Sequence, residues 1–272
     1  MVNLIYSMPN WVFGVVITAL VVAYSVGGLL LVHRVVPATR RRSHNDVAAA
    51  VSSLVGVVFA VLMAFVAIAV WQQFDQAEST VMHEAAAAGD VWRQALGYPE
   101  PLKATVRDGM KKYVDAVIKE EWPLQIAGKM DLRKDARQVL ESTHAAMLLF
   151  EPKTIGQQIV HAEQLKDMNT LLDQRRIRLH AADVGISGML WVVILVGCAL
   201  TIALIWFFGT ESLGAHIAMT LVLALSIALV LFLIASMDYP FRGETSVSAD
   251  AFELVLKSME RMAVEEKAGL VR

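Results

Sequence analysis

The residues whose types could support chemistry are few and scattered along the chain. The seven histidines lie apart from one another, and the single cysteine, Cys198, lies within an apolar run. One thiol excludes an intramolecular disulfide and a cysteine-based zinc site. The sequence contains no Walker, GxGxxG, HExxH or GxSxG motif. We therefore expect no catalytic residue, cofactor or metal, and the chain is predicted not to be an enzyme.

The most regular spacing lies in an apolar run between Asp46 and Asp75. Small residues recur there at every fourth position, a pattern that lets membrane helices approach closely. This packing stripe consists of Gly56, Ala60 and Ala64. A second stripe on the same helix consists of Ser53, Val57 and Val61. The first stripe is expected to pack, and the second can line a pore on the symmetry axis of an oligomer. Alternatively, both stripes pack against other helices of the chain.

The elements that position these stripes are membrane spans. The 272 residues are 56% hydrophobic with a mean hydropathy of +0.53, which is typical of a membrane protein. Four uncharged stretches are long enough to cross a bilayer as helices: about 11–32, 47–74, 184–210 and 212–237. The first stretch is interpreted as a retained span, because it has no basic residue before it and no cleavage-site pattern after it. A net charge of −2 gives no basic field for nucleic acid.

The predicted organisation has four segments, and the fold class is an all-α, four-span membrane protein. Residues 1–75 hold spans one and two, 76–182 an extramembrane amphipathic helical region, 183–237 spans three and four, and 238–272 an amphipathic tail. Within 76–182, helices are predicted from about Leu102 to Trp122-Pro123, from Leu132 to Phe150, and from Ile155 to His180. The many charges of this region are expected to form solvated faces.

The span interiors carry no Asp, Glu, Lys or Arg, and His216 is placed near a span end where it can reach the interface. This argues against a proton-coupled pump or a transporter of charged substrates. It is compatible with an apolar pore or with no pore. A small-molecule transporter would need a polar site in mid-membrane, for which only scattered serines and threonines, such as Ser52, Ser53 and Thr201, are available.

Two short motifs flank the spans. Span two ends in Val70-Trp71-Gln72-Gln73-Phe74-Asp75, and span four is followed by Pro240-Phe241-Arg242-Gly243-Glu244 and then Phe252-Glu253. These motifs and the span order resemble the bestrophin family of anion channels. The sequence more closely resembles the bacterial bestrophin-like domain membrane proteins. The signatures of that group are His44-Asn45-Asp46, Glu121-Trp122-Pro123 and Asp238-Tyr239-Pro240-Phe241-Arg242-Gly243.

The resemblance implies a homo-oligomer, pentameric as in bestrophins, with the second span around a central pore for inorganic ions. Anions are then expected more than cations. If Trp71 matches the exit tryptophan of the family, the neck positions fall on Ser53, Val57 and Val61. Bestrophins carry bulky apolar side chains there, so gating and selectivity do not carry over. The acidic run of calcium-sensing bestrophins is also absent, because Glu244, Asp250 and Glu253 are the carboxylates that remain; no calcium clasp is expected.

The segment that follows span four is predicted to form a clasp. Its residues, together with those at the exit of span two, are Trp71, Phe74, Pro240, Phe241, Gly243, Glu244 and Phe252. Pro240 should end span four, Phe241 should wedge against neighbouring helices, and Asp250 should begin a tail helix. A plain helix stop with an aromatic anchor is the simpler interpretation.

Membrane orientation is not determined by charge, because four arginines lie near the span ends on each side. The resemblance favours a multi-pass protein of the bacterial inner membrane with its termini and helical region in the cytoplasm. A competing hypothesis is a non-conducting scaffold or signalling adaptor that binds partners through residues 76–182.

Overall fold

The computed structural model describes residues 6, 8–129 and 134–268, and no strand occurs among them. The helices in chain order are α1 (Asn10–Val35), α2 (Ala38–Arg42), α3 (Asn45–Gln94), α4 (Leu102–Ala116), α5 (Trp122–Ile126), α6 (Lys134–Leu148), α7 (Ile155–Ala181), α8 (Gly188–Trp206), α9 (Leu213–Met237) and α10 (Asp250–Lys267). A 3₁₀ turn covers Ala95–Gly97, and a π-helical turn covers Val117–Glu121.

Four of these helices, α1, α3, α8 and α9, are long and apolar enough to cross a membrane. The predicted all-α, four-span fold is therefore confirmed. Helix α3 has 50 residues, which corresponds to about 75 Å at ~1.5 Å per residue. The hydrocarbon core of a bilayer is ~30 Å thick, so α3 must extend well beyond it. The helix that carries the two stripes therefore also supplies part of the polar region.

The chain divides into two compact units. The membrane unit consists of the described residues within Met1–Gln73, Gly185–Tyr239 and Gly243–Thr245. The helical unit consists of the described residues within Phe74–Val184, Pro240–Arg242 and Ser246–Arg272. Each unit has its own apolar core.

The helical unit is built around amphipathic helices, as the sequence predicts. Val106, Met110, Tyr113 and Val114 are fully buried along one face of α4. Helix α7 closely matches the predicted helix that begins at Ile155. The start predicted for the preceding helix, Leu132, lies outside the described residues, and that helix ends at Leu148.

The helix end predicted at Trp122-Pro123 is wrong, because helical structure continues to Ile126. Proline lacks an N–H and is tolerated in the first turn of a helix, where that donor would have no partner. Pro123 occupies this position in α5, directly after the π-helical turn Val117–Glu121. The π turn therefore shifts the hydrogen-bond register of the helix, and Pro123 lies where its missing N–H destabilises the helix little.

Candidate functional site

The second span presents one buried and two open faces within the membrane unit. Its buried face is formed by Phe59, Met63, Val66 and Val70, which belong to an apolar core with residues of α8 and α9. An added Cβ at Gly197 of α8 would overlap the Phe59 ring, so this ring lies directly against the backbone of α8. The packing of the second span within its own chain therefore uses large residues.

The predicted packing stripe lies beside this buried face. Gly56, Ala60 and Ala64 line an open groove of about 430 Å³ together with residues of α9, such as Leu223 and Val230. A Cβ added to Gly56 would meet no atom within 4 Å. The stripe is therefore not in close helix contact within the single chain, and its use in packing between chains stays a prediction.

The predicted pore stripe is exposed in the single chain. The side chains of Val57 and Val61 are 64% and 49% exposed, and Ser53 is also exposed. Trp71, at the end of the apolar run, is 63% exposed. A helix with this much uncovered apolar surface must contact lipid, another copy of the chain, or a pore.

The exit residues of the helical unit form an aromatic cluster. Phe241 is 1% exposed, and its ring centroid lies 5.9 Å from that of Trp122 in an edge-to-face arrangement. Phe252 of α10 is fully buried and packs on the same indole at 5.7 Å. The Val247 N–H donates to the Pro240 carbonyl at 2.8 Å, and Trp122 Nε1 donates to the Val247 carbonyl at 3.2 Å. Phe74 also packs against this core.

Of the other exit residues, Trp71, Gly243 and Glu244 belong to the membrane unit, and Pro240 belongs to the helical unit. Helix α9 ends at Met237, shortly before Pro240. Gly243 has a φ of +76°, which a residue with a Cβ rarely adopts. The Asn10 N–H at the start of α1 donates to Glu244 Oε2 at 2.9 Å. A carboxylate is favourable at a helix N-terminus, so Glu244 caps span one.

A buried charge cluster in the helical unit was not foreseen, and the expectation that all charges there form solvated faces is wrong. Four buried charged side chains meet: Glu84 of α3, Glu121 of the π turn, and Arg175 and Arg178 of α7. Arg178 donates to both oxygens of Glu84, at 2.7 and 3.0 Å, and to Glu121 at 3.0 Å. Arg175 donates to both oxygens of Glu121, at 2.8 and 2.6 Å. The Tyr113 hydroxyl donates to Glu84.

The cluster is neutral as a whole, and its ionised state is favoured by its geometry. Burial alone would raise the pKa of Glu121, but the hydrogen bonds and charges of Arg175 and Arg178 outweigh it and lower that pKa. Burial raises the pKa of Tyr113, and the charge of Glu84 raises it further, so the phenol stays protonated and donates. The two arginines on α7 thereby join α3 to the π turn.

His216 also differs from its predicted environment. It is buried, and its Nε2 lies 3.0 Å from the Ile205 carbonyl at the end of α8. Its ring is turned to the preceding span, α8, and not to the surface of the chain. Among the residues that the structure describes, no three His, Cys, Asp or Glu side chains are grouped as metal ligands.

Comparison with known proteins places this geometry in a family. Residues 19–252 match the model of the Bestrophin-like domain, and the chain belongs to that family. The fold is similar to crystal structures of a bacterial Bestrophin homolog from Klebsiella pneumoniae. A tyrosine-to-alanine variant of that homolog gives a TM-score of 0.66 at 12% identity, over 89% of this chain and 98% of that one. A leucine-to-threonine variant gives 0.65 at 12% identity, over 92% and 98%. No curated protein matches the sequence.

Proposed function

We propose that this chain forms a homo-oligomeric, passive ion channel whose pore is lined by the second span. The observation that carries the proposal is the open stripe of Ser53, Val57 and Val61 on a helix that is otherwise anchored through its large residues. Membership of the Bestrophin-like family and the shared fold support a channel as the class of protein. A pentamer is the assembly expected if the chain follows the bestrophins.

Anions are proposed to pass more readily than cations. Cation channels commonly use rings of carboxylates, and acidic residues are absent between Asp46 and Asp75. The pore stripe therefore presents only one hydroxyl and two aliphatic side chains per subunit. Cation selectivity would contradict this part of the proposal, and it would direct attention to Asp46 and Asp75 at the two ends of the run.

The segments of the chain are assigned roles in the same proposal. Residues 1–75 and 183–237 form the conducting part, 76–182 forms the extramembrane helical part, and 238–272 forms the tail. Trp71, Phe74, Pro240, Phe241, Gly243, Glu244 and Phe252 hold the span exits in place, with no enzymatic step. The protein is proposed to lie in the bacterial inner membrane with its helical part in the cytoplasm.

Reconstitution into liposomes tests the proposal directly. Vesicles with the protein should show chloride flux above that of empty vesicles, and a salt gradient should give a reversal potential of the sign expected for anions. The purified protein in detergent should form a ring of four or more subunits. A monomer in detergent, or an absence of flux for chloride, sodium and potassium, would refute it.

A second candidate function, a non-conducting scaffold, is favoured by one surface of the helical unit. Large apolar side chains are exposed at the end of α6 and the start of α7: Leu148, Leu149, Ile155 and Ile159. Exposed apolar patches often mark protein-protein contacts. If the patch serves a scaffold, Leu149→Ser should abolish partner binding in a protein that gives no ion flux.

A further inference from the structure

A cavity of about 450 Å³ lies in the membrane unit beside the basic loop between spans one and two. Its volume is in the range of small-molecule sites, ~300–1,000 Å³. One part of its wall is basic and is formed by Arg40, Arg41 and His44. The remainder is largely apolar and includes Val51 and Phe207.

Arg41 is the buried cation of this wall, with an exposed fraction of 4%. Its Nη1 donates to the carbonyls of Trp206 and Phe208, both at 3.2 Å, and so caps the end of α8. Its Nη2 lies 2.9 Å from His33 Nδ1, which must accept because a guanidinium only donates. Its Nε is buried and has no hydrogen-bond partner among the described residues. A buried donor without a partner is costly, and a negative charge nearby would offset part of that cost.

The electrostatic surroundings also favour an anion. The loop carries Arg40, Arg41 and Arg42, Arg34 lies on the last turn of α1, and the carboxylates close by in the sequence or by pairing are Asp46 and Glu211. Glu211 is paired with Arg42 at 3.5 Å, which leaves Arg40 beside the cavity as an exposed cation.

The apolar part of the wall belongs to membrane spans. Val47 and Val51 of α3 and Phe207 after α8 are exposed large apolar side chains in the single chain. The turn that brings α3 and α8 together is fixed by two hydrogen bonds between the Asn45 side chain and the Gly209 backbone, at 3.0 and 2.8 Å. The wall of the cavity therefore combines basic and apolar side chains, and the hydrogen-bonded turn holds them in place.

We propose that this cavity binds one anionic phospholipid. Its phosphate contacts Arg40 and His44, with the buried Arg41 guanidinium in the same wall, and an acyl chain lies along Val51 and Phe207. Basic residues beside membrane helices attract anionic lipid headgroups by charge. A free phosphate ion would satisfy the cations but would leave the apolar wall without a partner, so the lipid is the better occupant. The site is independent of whether the second span conducts ions.

Lipid binding to the full chain in a neutral detergent tests the proposal. Phosphatidylglycerol, phosphatidylcholine and inorganic phosphate are added separately, and phosphatidylglycerol is also added in competition with inorganic phosphate. Bound molecules are counted by native mass spectrometry. Phosphatidylglycerol should bind more tightly than phosphatidylcholine. Arg40→Gln should weaken phosphatidylglycerol binding about fivefold, the factor expected for one basic residue near a headgroup. Ala48→Phe, which fills the cavity from α3, should weaken it as well.

Arg34→Gln is the matched control, because Arg34 is exposed on the last turn of α1 and does not line the cavity. It should leave phosphatidylglycerol binding unchanged. Arg41 is left intact because it caps α8. Equal binding of the two lipids, or equal losses for Arg34→Gln and Arg40→Gln, would overturn the proposal. If inorganic phosphate displaces phosphatidylglycerol and Ala48→Phe has no effect, the cavity is a phosphate site and the lipid proposal is wrong.

Discussion

Removing Arg178 should destabilise the helical unit more than any other single charge removal. Arg178 is fully buried and donates to Glu84 twice and to Glu121 once. Breaking a buried ion pair from one side leaves an uncompensated charge and typically costs ~3–5 kcal/mol. For a chain of this size, ~1 kcal/mol shifts the melting temperature by ~2–4 °C. Arg178→Met should therefore lower the melting temperature by on the order of 10 °C.

A series of variants separates the charge effect from lost packing. Glu84→Leu combined with Arg178→Met removes both charges, while Arg175 still pairs with Glu121. What remains is the buried Tyr113 hydroxyl without an acceptor, a cost of ~1–3 kcal/mol. Adding Tyr113→Phe removes that donor too, and the triple variant should approach the stability of the wild type.

Thermal unfolding in detergent, followed by circular dichroism, measures the series. The single variant should melt at the lowest temperature, the double variant should recover part of the loss, and the triple variant should recover more. A steady decline in melting temperature from single to triple variant would contradict a cost set by the unpaired charge, because it would mean that lost volume and contacts set it. Equal melting temperatures for Arg178→Met and wild type would also refute it.

Three further predictions concern single positions. Because the pKa of Glu121 is lowered in the folded protein, ionised Glu121 stabilises the fold fully above the ordinary glutamate pKa of ~4.3. That stabilisation is lost as the pH falls through the lower folded-state pKa. When the melting temperature is measured against pH, Glu121→Gln should therefore show a smaller loss on the acid side. Phe241→Ala should lower the free energy of unfolding by ~3–5 kcal/mol and weaken the oligomer in detergent. Leu254→Ala, at an exposed site on α10, is the control and should change stability by less than ~0.5 kcal/mol. An oligomer unchanged by Phe241→Ala would count against the clasp. Gly28→Ala should destabilise α1, because its Cβ would overlap a tryptophan ring, and Gly27→Ala should be neutral or stabilising in the same assay.

The spans and their order follow from the sequence because hydropathy acts locally. A run without charged residues, such as that between Asp46 and Asp75, must be helical and buried in lipid or protein whatever surrounds it. Amphipathic helices such as α4 are predictable for the same reason, since their periodicity lies within a few turns. Helix boundaries depend on backbone detail. The π turn before Pro123 leaves no signal in the hydropathy or in the periodicity of the sequence.

The buried charge cluster was not predictable from local patterns. Glu84, Glu121, Arg175 and Arg178 lie on three separate elements, up to 94 positions apart in the chain. On each helix alone they look like residues of a solvated face. Only the packing of α3, the π turn and α7 shows that they meet. Arg175 and Arg178 are two of the four arginines counted near the span ends on the side of the helical region, whereas in the fold they neutralise two buried carboxylates.

The pore assignment is tested most directly by comparing two neighbouring valines of the second span. Val57 and Val58 are the same residue type and are both 64% exposed in the single chain, but they point about 100° apart around the helix. Each is replaced by cysteine in a Cys198→Ala background, which removes the single native thiol. Currents are then measured across a bilayer before and after a charged, water-soluble thiol reagent is added. If the stripe lines the pore, Val57→Cys currents are altered while Val58→Cys currents are not. Unaltered Val57→Cys currents, or alteration at Val58 alone, would contradict a pore lined by Ser53, Val57 and Val61.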